Sequence, residues 1–117
     1  MNLEALFGGK TATQALLYIA RYSEATSTEI AACFEVPKPQ VFIQLKRLCA
    51  AQVLSVRKVS SVSLYSFNPR SGVRDELKAM LEKYIKDQMP KAEYPKFYLV
   101  RRRERADGKK LGGVYED

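Results

Sequence analysis

The sequence contains no histidine. Histidine is the usual general base near neutral pH, a common zinc ligand and the ordinary pH switch, so its absence removes much of enzyme chemistry. The chain also lacks the motifs HExxH, GxSxG, GxGxxG and GxxxxGK followed by Ser or Thr. We therefore expect a protein that is not an enzyme and that uses no metal and no cofactor.

Cysteine is scarce and apolar runs are short. Cys33 and Cys49 stand apart without a CxxC pair, so we expect both to be reduced and buried as small apolar side chains, with a disulfide or a thiol sensor as the alternative. No run approaches the ~18 apolar residues of a membrane-spanning helix, and the first ten residues lack the features of a signal peptide. These absences predict a cytoplasmic protein without a membrane partner.

Acidic residues are missing from one long stretch. Residues 36–74 contain seven Lys or Arg and no Asp or Glu, in a chain of 117 residues with a net charge of +7. The composition, 46% apolar and 28% charged, is that of an ordinary globular protein, and the length fits one domain. The local excess of positive charge predicts attraction to a polyanion.

The spacing of apolar residues predicts five helices, over residues 1–7, 11–22, 26–35, 38–51 and 71–88. The third helix begins with the pair Thr26 and Glu29, which has the spacing of a capping box. It ends before Pro37, because the residue that precedes a proline avoids the helical region. The fourth helix follows at once, so the third and fourth are joined by a tight turn.

Between the fourth and fifth helices the apolar pattern changes to a period of two. Residues 53–59 and 62–67 therefore predict a two-stranded hairpin with Ser60 and Ser61 at its tip. A strand-like patch at residues 97–100 and a basic run follow the fifth helix. The order of elements predicts a mainly α fold with a small β-hairpin wing, a winged helix-turn-helix with a three-helix core and a further C-terminal helix.

A family resemblance points in the same direction. The chain resembles the ArsR-type and MarR-type regulators of bacteria and archaea over roughly residues 3–88. The matching motifs are Glu29-Ile30-Ala31, the spacing Val41, Leu45 and Leu48, and the segment Leu64-Tyr65, Phe67, Asn68-Pro69. The resemblance implies a homodimeric, sequence-specific transcriptional regulator, most simply a repressor, that binds duplex DNA. It also divides the chain into a DNA-binding domain, 1–88, and a basic, at most partly ordered tail, 89–117.

The candidate DNA contacts lie on the fourth helix, the wing and the tail. Glutamine pairs with adenine and arginine with guanine, so the candidates for base contact are Gln40, Gln44 and Arg47. The candidates for phosphate contact are Lys38, Lys46, Arg57 and Lys58. The tail candidates for phosphate or minor-groove contact are Arg101, Arg102, Arg103 and Arg105, although such a tail often only aids solubility. In the resembling families the first and last helices form the dimer interface, so the resemblance implies dimerisation helices at both ends of the domain, including a C-terminal dimerisation helix. The dimerisation candidates, some of which also serve the core, are Leu16, Val73, Leu77, Met80, Leu81 and Tyr84.

The sequence departs from the family pattern in four ways. At the wing tip, Ser60-Ser61 replaces the usual glycine–arginine, which removes one phosphate contact. The paired cysteines of metal-sensing ArsR proteins are absent, so we expect no metal. Gln52 stands where a glycine usually follows the recognition helix, and strain is expected if its φ angle is positive. Phe42 and Ile43 occupy positions that are commonly polar. We expect them to be partly buried against an adjacent element or a protein partner, with contact to thymine methyl groups as the alternative. A protein-interaction winged helix and an RNA-binding module are therefore the alternative functions.

Overall fold

The computed structural model of the protein describes residues 2–98. Two helices, α1 (Leu3–Phe7) and α2 (Lys10–Tyr22), come first and are followed by a two-residue strand, β1 (Glu24–Ala25). Next come α3 (Ser27–Phe34) and α4 (Lys38–Ala50). The strands β2 (Leu54–Val59) and β3 (Val62–Phe67) then form the hairpin. The long helix α5 (Arg74–Gln88), a 3-10 turn (Lys91–Glu93) and a short helix α6 (Tyr94–Tyr98) complete the described part.

The wing is a three-stranded antiparallel sheet with the order β1-β3-β2. Its register pairs Leu54 with Phe67 at the base and Val59 with Val62 at the tip, while Glu24 of β1 pairs with Ser66. The predicted hairpin is therefore confirmed, and β1 adds a strand that the sequence pattern did not predict. Because β1 directly follows α2, it joins the base of the wing to the helical core.

The predicted start of α3 is confirmed atom by atom. The Thr26 side chain accepts a hydrogen bond from the Glu29 amide, and the Glu29 carboxylate accepts one from the Thr26 amide, each at 3.0 Å. These bonds satisfy two backbone donors that a helix start otherwise leaves without partners. At the far end, Glu35 has a φ of 57°, and Pro37 then forms the N-cap of α4. The turn between the two helices is thus as short as predicted.

One side of α4 is buried in the core. Val41, Leu45 and Leu48 are all buried, as their spacing predicts, and they pack among side chains from the other helices. The largest fully buried partners are Leu16, Ile19, Ile30, Leu54, Leu81, Ile85 and Phe97. α4 contacts α2, α3 and β2, so three neighbouring elements hold it in place. Its remaining sides are open to solvent or to α1.

The turn after α4 carries the strain that the sequence suggests. Gln52 has a φ of 68°, a left-handed conformation that glycine adopts more readily. The buried side chain of Asn68 stabilises this turn, because its amide nitrogen donates to the Gln52 carbonyl oxygen at 3.0 Å. The Asn68 backbone amide also donates to the Val53 carbonyl. Asn68 therefore connects both ends of the hairpin to the end of α4.

The C-terminal part of the described chain differs from expectation. The predicted strand at 97–100 is wrong for residues 97–98, which belong to α6. Phe97 is 1% exposed and packs beside Phe34, with ring centroids 5.8 Å apart. The Tyr22 hydroxyl donates to the Lys96 carbonyl at 2.9 Å. The proposed boundary at residue 88 stays a prediction, although residues beyond it pack on the core.

Within residues 2–98, no helix has both the length and the apolar character to cross a membrane.

Candidate nucleic-acid interface

The three predicted base contacts lie on one flank of α4 and all take part in hydrogen bonds within the protein. Gln40 donates through Nε2 to the Thr11 hydroxyl at 2.9 Å. Arg47 donates through Nη2 to the Phe7 carbonyl at 2.7 Å and through Nε to Oε1 of Gln44 at 3.0 Å. Gln40, Gln44 and Arg47 will be called the polar flank. Their role as base contacts stays a prediction, but the structure gives them a second role, the attachment of α4 to α1 and α2.

The contact between Arg47 and α1 depends on a close approach to glycine. The Phe7 carbonyl lies at the end of α1, where helical carbonyls lack partners within the helix. Gly8 follows with a φ of 92°, and a Cβ atom there would lie 3.1 Å from Nη2 of Arg47. A larger residue would therefore be strained and would also crowd the guanidinium group. Arg47 lies 40 residues away from Phe7 in the sequence, so no local pattern could reveal this contact.

The opposite side of α4 faces solvent and is largely apolar. Its exposed residues are Pro39, Phe42, Ile43, Lys46 and Ala50, which will be called the outer face. Ile43 is 61% exposed and Phe42 is 45% exposed, so no adjacent element of the described chain covers these two side chains, and their burial against a partner stays a prediction. The Lys46 ammonium lies 5.6 Å from the centre of the Phe42 ring, at a distance suited to a cation–π contact.

The predicted phosphate contacts fall into two groups. Lys38, Lys46 and Lys58 are exposed and form no salt bridge with any residue between 2 and 98. Arg57 instead pairs with Glu24 of β1, with Nη2 and Oε1 3.1 Å apart. That pair crosses β3 and braces the wing, so Arg57 is less available than the three lysines. At the wing tip, Ser60 has a φ of 59°, which again favours glycine.

The predicted dimerisation residues differ in exposure. Leu16 and Leu81 are fully buried within the chain, and the dimerisation role of all six candidates stays a prediction. Leu77, Met80 and Tyr84 are partly buried, and Val73 is exposed. The tail candidates Arg101, Arg102, Arg103 and Arg105 lie outside the described residues.

Both cysteines are free thiols that are partly buried. Burial raises the pKa of Cys33 to about 11 and also raises the pKa of Cys49. A thiol with a raised pKa stays protonated near neutral pH and reacts slowly, because the thiolate is the nucleophile. Residues 2–98 also contain no group of three metal-binding side chains of the types His, Cys, Asp or Glu.

Comparison with solved structures identifies the fold. HlyU from Vibrio cholerae, in its reduced form, matches with a TM-score of 0.56 and 18% identity, over 72% of this chain and 87% of that one. The adhesin competence repressor AdcR from Streptococcus pyogenes matches with a TM-score of 0.52 and 13% identity, over 64% of this chain and 56% of that one. ZitR from Lactococcus lactis, a mutant in the apo form, matches with a TM-score of 0.50 and 20% identity, over 66% of this chain and 61% of that one.

These three neighbours are winged-helix regulators of the ArsR/MarR type, so the predicted winged helix-turn-helix fold is confirmed. At identities of 20% or less, the similarity establishes the fold and leaves the partner to be argued from this chain. The chain spans less than two thirds of AdcR and of ZitR. No protein-family model and no curated protein sequence matches the chain.

Proposed function

We propose that the protein is a sequence-specific transcriptional regulator, acting as a repressor, that binds duplex DNA as a homodimer. In this proposal α4 enters the major groove and the wing lies along neighbouring phosphates. An α-helix fits the width of the major groove, where base edges differ in their donors, acceptors and methyl groups. The cytoplasm, where bacterial DNA lies, is the corresponding location.

One observation carries the DNA proposal. The solvent-facing surface of α4 and the wing presents Lys38, Lys46 and Lys58 without salt-bridge partners among residues 2–98. The sequence between residues 36 and 74 supplies no carboxylate that would repel a phosphate. Unpaired lysines on a helix and an adjacent hairpin suit a rod-shaped polyanion, since each contact with a phosphate releases condensed counterions.

The homodimer is supported by apolar surface near both ends of the fold. α1 and α5 both pack on α2, and each has an exposed large hydrophobic residue in or beside it, Leu6 and Val73 respectively. A second copy would cover this surface and place two α4 helices on one DNA face, about one helical turn apart. Sedimentation of Val73→Asp should show a shift towards monomer relative to the unchanged protein. An unchanged mass at all concentrations would remove Val73 from the interface.

The DNA proposal is tested by the salt dependence of binding. Fluorescence anisotropy with a random 26-bp duplex should show log K falling linearly with log salt. Lys46→Ala and Lys58→Ala should each reduce that slope by about 1, because each removes one phosphate contact. Lys86→Ala is the matched control, since Lys86 is exposed on α5 and should leave the slope unchanged.

Three outcomes would count against the proposal. Equal slopes for all the lysine variants would remove α4 and the wing from the DNA surface. Tighter binding to structured RNA than to the duplex, in direct competition, would favour the RNA-binding alternative. Absence of salt-dependent binding to any nucleic acid would favour a winged helix that docks a protein through Phe42 and Ile43, the alternative that their exposure supports.

A further inference from the structure

We propose that the outer face of α4 reads the methyl groups of thymine, so that Phe42 and Ile43 set a preference for A·T base pairs. This inference rests on the proposed function, because it assumes that α4 lies in the major groove. It assigns the base-reading role to two apolar side chains, whereas the polar flank positions the helix.

The hydrogen-bonding side chains of α4 are mostly engaged within the protein. Each polar side chain of the polar flank already has a partner, and two of them hold α4 against α1 and α2. To read guanine through both Nη groups, Arg47 would have to share the Nη2 group that donates to the Phe7 carbonyl. The outer face offers the groove one charged donor, Lys46, beside Phe42 and Ile43. With its outer face towards the groove, α4 offers few hydrogen-bond donors to the bases and has considerable apolar area to bury.

The major groove of DNA presents an apolar group only at A·T pairs. Thymine is the one base that places a methyl group there, and apolar side chains contact that methyl group favourably. Guanine presents two acceptors and cytosine an amino donor. An A·T pair also presents two acceptors and one amino donor, so the thymine methyl group is what distinguishes it for an apolar side chain. Phe42 and Ile43 therefore favour A·T pairs over G·C pairs through that methyl group.

The positive charge around the outer face favours DNA over a protein as its partner. Phe42 carries Lys46 over its ring, and Lys38 is exposed at the start of the same helix. An apolar patch bordered by lysines, in a stretch of 39 residues without an acid, complements a groove with methyl groups on its floor and phosphates on its walls. Lys46 can donate to a phosphate or to a purine N7, which adenine and guanine share, so it adds affinity with little selectivity.

The test compares duplexes that differ only by the methyl group at position 5 of the pyrimidine. The full chain is titrated by anisotropy against a pool of 26-bp duplexes of A·T pairs in random order, and against the same pool with deoxyuridine in place of thymidine. A second pair of pools contains G·C pairs with cytosine or with 5-methylcytosine. We expect the thymine pool to bind about 4-fold more tightly for each methyl group buried, and 5-methylcytosine to improve binding of the G·C pool.

Variants connect the methyl effect to the outer face. Phe42→Ala and Ile43→Ala should bring the ratio of thymine to deoxyuridine affinity close to 1, while Lys58→Ala should weaken all four pools equally and keep the ratio. Both substitutions are at exposed positions, and thermal unfolding of each variant verifies that the fold is intact.

The outcomes separate this inference from the proposed function. Salt-dependent binding with equal affinity for thymine and deoxyuridine pools would overturn the inference and leave the proposed function standing. A methyl effect that survives both alanine substitutions would overturn the assignment to Phe42 and Ile43. Binding to all pools that neither substitution changes would show that the outer face does not contact DNA, and would overturn the inference. Absence of binding to every pool would overturn the proposed function itself.

Discussion

The polar flank and the outer face belong to the same helix, α4, but each has the residue types that would be expected on the other. The polar side chains bind within the protein, and the apolar side chains face solvent. The polar flank contains Gln40 and Arg47, which look like base readers, but these side chains bind Thr11 and the Phe7 carbonyl. The outer face contains Phe42 and Ile43, which look like core residues, but they face solvent. Tertiary partners, and not residue type alone, therefore decide which side chains of α4 form hydrogen bonds within the protein.

The reversal has a physical cause in the packing of the first helix. α1 ends at Phe7, and its carbonyl needs a donor that the short helix cannot supply. Arg47 supplies it because α4 passes next to Gly8, where the lack of a Cβ leaves room for the guanidinium group. An arginine that donates a hydrogen bond to the last carbonyl of another helix has a structural role. The outer face is then the solvent-facing side of α4 whose side chains form no such hydrogen bond with the described residues.

The largest expected effect separates the buried side of α4 from the outer face. Leu45→Ala removes a fully buried side chain and should lower the free energy of unfolding by about 2–5 kcal/mol, because a cavity replaces packed methyl groups. Ile43→Ala, two residues away, should change it by less than about 0.5 kcal/mol. Urea denaturation of both variants measures this difference. Similar losses for the two variants would mean that Ile43 is buried in the protein in solution.

The next effect separates the polar flank from a base-reading surface. Arg47→Ala should lower the free energy of unfolding by about 1 kcal/mol, since it removes hydrogen bonds from a charged donor at an exposed position. Its base preference, measured by selection from a random duplex library, should match that of the unchanged protein. The opposite pattern, full stability with relaxed base preference, would return Arg47 to the role of a base contact.

The smallest of these expected effects on the free energy of unfolding concerns the turn at the end of α4, which lies outside both the polar flank and the outer face. Gln52→Gly removes the strain of a positive φ and loses only a hydrogen bond of 3.2 Å between the Gln52 and Asn68 side chains. It should raise the free energy of unfolding by about 0.5–1 kcal/mol. DNA affinity should stay unchanged, because neither side of α4 is altered. A lower thermal midpoint for this variant would show that the side-chain contact outweighs the strain.

Local features of the sequence predicted the framework well. The spacing of Val41, Leu45 and Leu48 identified the buried side of α4, and the pair Thr26 and Glu29 identified the start of α3. Both features are encoded within a few residues, where helical geometry and backbone hydrogen bonding decide the structure. The residues of the candidate interface were also in the correct elements, since α4 and the wing lie where their patterns placed them.

Contacts between distant residues could not be predicted in the same way. The bonds of Gln40 and Arg47 span 29 and 40 residues, and no periodicity records such a pairing. β1 consists of two residues, too few to show an alternating pattern. The apolar patch that begins at Phe97 is also short and suggested a strand, although Phe97 and Tyr98 belong to a helix. These elements depend on what the rest of the chain brings beside them.

The most direct test of the account places a negative charge on the outer face. Ile43→Glu should weaken binding to the random A·T duplex pool about 100-fold, because a carboxylate would lie among the phosphates and base edges of the groove. Ala79→Glu makes the same charge change at an exposed position on α5 and should weaken binding far less. Equal affinities for the two variants, with both proteins folded, would contradict the claim that the outer face of α4 meets DNA.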